Sequence, residues 1–483
     1  YRRSFEFYVG WLHEWACTRT RGLGTRLPYD ERWIIESLSD STIYMAFYTI
    51  IHLIRQNRIK PEQLTVDLFD YVYLGQGNPE YISKKIGVNV NLLKKMREEF
   101  LYWYPIDERR TAPMHISNHL TFFIFHHAAI FPENLWPKRI TLNEALIAEG
   151  RKMSKSLGNV IPLVWAIREY GADTVRLYLS HAADASTTLD WRAENVRDLK
   201  SKLEALYDFC QQIISMPSGE EELNHMDRWL ISNLQQRIRG ATENLENWRT
   251  RAAAENAFFE TWNDLRWYFR RSEKPNARVL KEVLQTWVLL MTPFTPHLCQ
   301  EIWSSLGWND FILNQAWPVP DEAKIDAGVE EAETLIKALI EDTQSVIRAT
   351  KITPKKICYY TAAPWKWKAY LKTLEKSFSE KVAPGEVLRE LMVDPDLRRK
   401  GVAVAKFVQG ILEEINRMPE DVKRKRLRAG IIGEQEALDG ARGFFQREFN
   451  AEMEVYREED SNRYDPRNRG PLAKPHRPAI FIE

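Results

Sequence analysis

Between residues 198 and about 307, apolar side chains recur at helical spacing, with breaks at Pro217-Ser218-Gly219 and Lys274-Pro275-Asn276. That period predicts long amphipathic helices joined by polar turns. The aromatic stretches 259–268 and 290–298 inside it read as core stripes and carry no chemistry. A further helix is expected over 321–347 and a strand over 356–362. From 384 to 483, basic helices alternate with short β-like runs at 452–456 and 479–482. Upstream the pattern is less regular. Residues 1–30 are rich in Trp, Arg and Gly and suggest an irregular segment. From 33 to 55 the apolar positions Met45, Tyr48, Ile51 and Ile54 predict a helix that starts after Ser39, Asp40 and Ser41. Short helices are expected at 61–74, 82–86 and 91–104, together an insertion over 57–104. A strand at 111–116 should lead into a helix holding Leu120, Phe123, Ile124 and His127, with His126-His127 a solvated pair. The pattern over 160–190 is mixed and compact, and no fixed-period repeat marks a solenoid.

Composition narrows this. At 483 residues the chain exceeds what one core supports, roughly 250–300 residues, so several domains are expected. No run approaches the roughly 18 uninterrupted apolar residues of a membrane helix. Cys17, Cys210, Cys299 and Cys358 lie far apart with no C-x-x-C pair, which argues against a zinc ribbon and a disulfide framework. A reducing, cytoplasmic home is the simplest expectation. Net charge is only +1, so a nucleic-acid site must be a local patch. Three basic clusters qualify: Arg398-Arg399-Lys400; Lys423-Arg424-Lys425-Arg426 with Arg428; and Arg463, Arg467, Arg469, Lys474 and Arg477. Together they can supply several salt-sensitive phosphate contacts. Phe444, Phe445 and Phe449 are expected to pack rather than to stack on bases.

The densest chemistry is Lys152-Met153-Ser154-Lys155-Ser156, opened by Gly150 and closed by Gly158. Two ammonium groups three residues apart suit phosphate charge that moves during a reaction. The hydroxyls add neutral donors, and the glycines let the segment bend. This pentapeptide resembles the second signature of class I aminoacyl-tRNA synthetases, where the loop closes over ATP. The resemblance implies that Lys152 and Lys155 neutralise charge on departing pyrophosphate, a kind of contact worth ~3–4 kcal/mol of barrier. It makes Ser154 and Ser156 secondary phosphate donors and Met153 the residue that seats the loop.

Three other segments carry the same likeness. Thr18-Arg19-Thr20-Arg21-Gly22-Leu23-Gly24 is similar to the form found in archaeal and eukaryotic-cytosolic leucyl-tRNA synthetases. The turn from Leu38 to Tyr44 resembles their amino-acid pocket. There Asp40 would hold the substrate ammonium, Ser41 would offer a hydroxyl, and Leu38 and Tyr44 would wall a branched side chain. Read as residues alone, Asp40 or Ser41 could instead cap the helix. Asn118 and His119 follow a probable strand end, where open α/β sheets place ligands. By resemblance they contact adenosine and the amino acid, although bacterial relatives carry Glu-His there.

The resemblance implies α/β plus all-α architecture. Residues 1–150 would be the second half of a Rossmann-like catalytic domain with its insertion, and 151–197 the lysine loop with a stem-contact region. Residues 198–320 would form a helical anticodon-binding bundle, and 321–483 a small α+β tRNA-binding domain. No H-x-G-H tetrapeptide is present and no editing domain is expected, so the chain reads as the C-terminal half of such an enzyme or as a separate subunit. The implied partners are leucine, ATP with Mg2+, tRNA(Leu) and the N-terminal half. The alternatives are an isoleucyl, valyl or methionyl enzyme, and a non-catalytic tRNA-binding subunit.

Overall fold

The computed structural model describes residues 1–217, 219, 222–378 and 384–483; Ser218, in one expected joint, lies outside them. The strands are β1 (Thr18–Arg19), β2 (Arg26–Leu27), β3 (Asp30–Ile35), β4 (Arg109–Thr111), β5 (Ile140–Leu142), β6 (Leu146–Ala148), β7 (Arg151–Lys152), β8 (Leu189–Trp191), β9 (Lys356–Thr361), β10 (Glu452–Arg457) and β11 (Ala479–Ile482). Two compact units form. One holds residues 1–166 and 182–196, the other 167–181 and 197–483.

In the first unit β3 pairs antiparallel with β1 and β2. The segment 33–35, ahead of the expected helix, is therefore extended. Gly24 makes the pairing possible, because a Cβ there would stand 2.5 Å from the Ile35 carbonyl oxygen. A short helix, Ser37–Asp40, precedes the expected one, which is broken into Tyr44–Tyr48 and Ile51–Gln56. At both junctions a threonine hydroxyl competes with the backbone: Thr42 Oγ1 donates to Ser39 O (2.8 Å) and Thr49 Oγ1 to Ala46 O (2.7 Å). The 57–104 region is helical as expected, and Leu68, Val72, Leu93, Met96 and Phe100 form a core with Ile50 and Leu53.

β4 ends at Thr111, earlier than expected, and Pro113, which has no N–H for a sheet, opens a 3-10 turn. A π-turn, Ile116–Leu120, and the helix Thr121–Ile130 follow. They form the crossover to β5, which pairs parallel with β4.

The second unit contains the helices His225–Glu246, Thr261–Arg271, Ala277–Met291 and Ala327–Thr350. The helix expected from 321 begins at Ala327, where Asp326 caps it by accepting from Val329 N–H. The expected strand over 356–362 is β9, and both terminal β-like runs are strands. β9 is central, with β10 parallel on one side and β11 antiparallel on the other. Ile357 and Tyr359 share a core with Leu335, Ile336, Leu339, Phe445 and Met453. The boundary expected at 320 lies inside this one compact unit. No helix among the described residues is long and apolar enough to cross a membrane, and the four cysteines are free.

Candidate functional site

The lysine loop grows out of a hairpin. β6 and β7 pair Ala148 with Arg151 across Glu149 and Gly150, both at positive φ (49° and 74°), as a two-residue type I′ turn requires. Asp190 Oδ1 accepts from Gly150 N–H at 2.9 Å and Glu149 Oε1 from Ala193 N–H at 2.9 Å, so the turn is tied to its surroundings. Lys152 ends β7. Ser154 then caps a 3-10 turn, its Oγ accepting from Leu157 N–H (3.2 Å) and lying 3.0 Å from Ser156 Oγ. Gly158, at φ +66°, closes the turn. Met153 is half-buried, while Lys152 and Lys155 are exposed. Neither ammonium has a carboxylate at ion-pair distance among the described residues. The arrangement is two unneutralised cations on a short, internally bonded loop.

A second cluster gathers residues distant in sequence. The π-turn buries His119 and brings its Nε2 to 3.0 Å from Ser41 Oγ. Burial, then the charges of Arg109 and His115, hold the His119 pKa below its usual value, favouring the neutral ring. One residue on, Thr42 is fully buried. Its hydroxyl proton goes to Ser39 O, which leaves a lone pair for His126 Nδ1 at 2.6 Å. Two histidines thus clip the 39–42 turn to the segment 116–130. Glu36 caps the short helix Ser37–Asp40 by accepting from Leu38 N–H (2.6 Å). Arg19 is half-buried and lies 3.7 Å from the Glu36 carboxylate.

Leu38 and Tyr44 are half-buried around this turn, Tyr44 with its ring edge-on to Tyr48 at 4.8 Å. Asp40 belongs to the helix Ser37–Asp40, but its side chain lies outside the described residues. Asn118 folds back, its Oδ1 accepting from His119 N–H at 2.5 Å, so it shapes the turn. The expectation of a solvated His126-His127 pair is corrected. His127 is buried with Nδ1 2.8 Å from Phe123 O, because on this helix the two rings meet different neighbours.

Residues 125–192 match the family model for tRNA synthetases class I (I, L, M and V), and residues 227–359 that for the anticodon-binding domain of tRNA ligase. The leucine–tRNA ligase of Methanosarcina barkeri (strain Fusaro / DSM 804) is 40% identical over 486 residues, covering 100% of this chain and 50% of its own. That of Pyrococcus abyssi (strain GE5 / Orsay) is 42% identical over 496 residues, covering 100% and 49%. The chain belongs to the leucyl-tRNA synthetases. It spans about half the length of the curated relatives it matches, and corresponds to their C-terminal half. A solved LeuRS–tRNA–LeuAMS complex from Agrobacterium radiobacter K84 aligns with TM-score 0.43 and 19% identity over 66% of this chain and 38% of its own.

For a leucyl-tRNA synthetase chain, the basic clusters divide in an unexpected way. Arg398, Arg399 and Arg424 are exposed, the last two beside Asp396 and Glu420. Lys423, Lys425 and Arg426, by contrast, all have partners within the protein. Lys423 is buried with Nζ 3.5 Å from Ser377 O. Lys425 lies 3.2 Å from the buried Glu330 carboxylate, and Arg426 3.7 Å from that of Glu331 while donating to Tyr370 Oη at 2.8 Å. Buried acids on the facing helix claim Lys425 and Arg426, and a charge run gives no hint of such partners. The sequence pattern also gave no role to Glu36, Thr42 and Asn159. Of these only Asn159, one residue beyond the glycine that ends the lysine loop, had a local signal.

Proposed function

We propose that this chain supplies the C-terminal half of an enzyme that activates leucine with ATP, releases pyrophosphate and transfers leucine to tRNA(Leu). In this reading residues 1–150 complete the Rossmann-like catalytic fold, and 151–197 carry the lysine loop and a stem contact. Residues 198–320 bind the anticodon side, and 321–483 bind tRNA elsewhere. The observation that carries it is the pair of unneutralised ammonium groups, Lys152 and Lys155, on a hairpin-launched loop. As leucine carboxylate attacks the α-phosphorus, the bond to pyrophosphate breaks and negative charge grows on that leaving group. The two lysines neutralise this charge, and the hydroxyls of Ser154 and Ser156 donate to the same oxygens.

Ser41 and neutral His119, with Leu38, Asp40 and Tyr44 on the same turn, receive the amino acid, and the Asn118 turn positions adenosine. The parallel β4–β5 pair, with its helical crossover, supports the α/β part of this reading. Among the described residues no group of three or more His, Cys, Asp or Glu could hold a metal ion. Magnesium is expected to arrive with ATP, as the counter-ion of its triphosphate.

The test is ATP–pyrophosphate exchange by this chain joined to its N-terminal complement, with leucine, isoleucine, valine and methionine in turn. Leucine should give the highest kcat/KM, and Lys155→Ala should lower kcat by about 10²–10³. Preference for another amino acid would move the assignment within the class. Exchange unaffected by Lys155→Ala would leave a tRNA-binding subunit with a relic loop.

A further inference from the structure

We propose that Asn159 is a positioning residue of the lysine loop, the side chain that makes residues 152–159 behave as one body. The role rests on the ATP reading above. One carboxamide spans the loop: Nδ2 donates to Lys152 O at 3.0 Å, and Oδ1 accepts from Ser154 N–H at 2.9 Å. Both faces of the amide are spent on backbone of the same segment, seven and five residues earlier. Gly158 makes the reach possible, since φ +66° turns the chain back towards the start of the motif.

Ser154 is consequently held twice, by Asn159 through its N–H and by Leu157 N–H through its Oγ. The backbone that carries Lys152 is thereby fixed against the turn that carries Lys155. These bonds are internal to the loop. The outer tie, from Asp190 to Gly150 N–H, lies before the motif and holds only its entry. The loop can therefore approach or leave a triphosphate without changing the spacing between its two charges.

Spacing matters because electrostatic stabilisation depends on placement, and a displacement of about 1 Å costs about 10²-fold in rate. The Asn159 carboxamide need not touch ATP to have this effect. It acts through the positions of Lys152 and Lys155.

Two measurements test the role. In the 483-residue chain, trypsin cleavage after Lys152 and Lys155 reports how often the loop opens. Asn159→Ala should speed cleavage at those bonds about tenfold, with cleavage elsewhere and Tm unchanged. In the enzyme joined to its N-terminal complement, the same variant should lower kcat for ATP–pyrophosphate exchange about 10²-fold while KM for leucine stays within about twofold. Unchanged cleavage, unchanged kcat, or a lowered Tm with faster cleavage everywhere would each overturn the proposal, the last by making Asn159 a general structural residue. A wild-type joined enzyme silent in exchange would defeat the ATP reading and this role with it, whatever the protease shows.

Discussion

Ser41 and His119 stand 78 residues apart in the chain and 3.0 Å apart in the fold. The histidine is buried, and burial followed by the nearby positive charges keeps its ring neutral, so the serine hydroxyl meets an uncharged partner at physiological pH. If this pair receives the amino acid, Ser41→Ala removes one hydrogen bond, worth about 1 kcal/mol, and raises KM for leucine about fivefold. Leucine titrations in the exchange assay check this, with ATP KM as the control that should not move. An unchanged leucine KM would place the pair outside the pocket. The lysine loop, Ser41 and His119 were legible because each sits in a recognisable run. Thr42–His126 and the Glu36 cap were not, because the pattern of a turn does not disclose which distant ring or neighbouring carboxylate will satisfy its hydroxyls and N–H groups. The intramolecular partners of Lys425 and Arg426 were hidden for the opposite reason: a charge run resembles a solvated face until buried carboxylates are found opposite it.

At the scale of elements, period was a good guide where one face was buried and a poor one where side chains competed with the backbone. The bundle helices and strands β9, β10 and β11 lie close to where the pattern put them, while the stretch 33–55 divides into a strand and three helical pieces. The helix Ala327–Thr350 was foreseen, but its buried acids Glu330, Glu331 and Glu333 were not. Glu333 accepts from Arg271 Nη2 at 2.9 Å and stands 3.0 Å from His225 Nε2, joining this helix to two others. Burial alone would raise its pKa. The hydrogen bonds from His225 and Arg271 outweigh that and bring it down to about 2. A carboxylate with a depressed folded pKa contributes stability that is full above its unfolded value, 4.5, and lost as pH falls towards 2. Glu333→Gln should therefore cost about 3 kcal/mol at pH 7, where it leaves Arg271 buried without its counter-charge. The gap to wild type should narrow as pH drops from 4.5 to 2. Denaturant unfolding across that range checks it, and a gap independent of pH would show that Glu333 is not ionised in the native state.

For the whole molecule, 68 basic and 67 acidic residues nearly cancel, so in the proposed function affinity for tRNA would depend on which cations remain outside. The fold sorts them. Arg398 and Arg399 lie exposed at the end of the short helix Pro395–Arg399, whereas Lys425 is claimed by Glu330 and Glu331. Residues that look alike in sequence should accordingly fail in different ways. Each exposed arginine that meets a phosphate releases a counter-ion, so Arg398→Ala and Arg399→Ala should each reduce the slope of log K against log salt for tRNA by roughly 0.7–0.9. Tm should hold, because neither side chain supports the core. Lys425→Ala should do the reverse: it leaves two buried carboxylates short of a cation, a kind of loss that costs about 3 kcal/mol, and it removes no phosphate contact. Its salt slope should match wild type while its Tm falls. Filter binding of a tRNA(Leu) transcript over a salt series, paired with thermal unfolding of the same variants, separates the two classes. Equal slopes in all three variants would mean that the 398–399 pair does not face RNA, and a reduced slope for Lys425→Ala would mean that the acids release this lysine when tRNA binds.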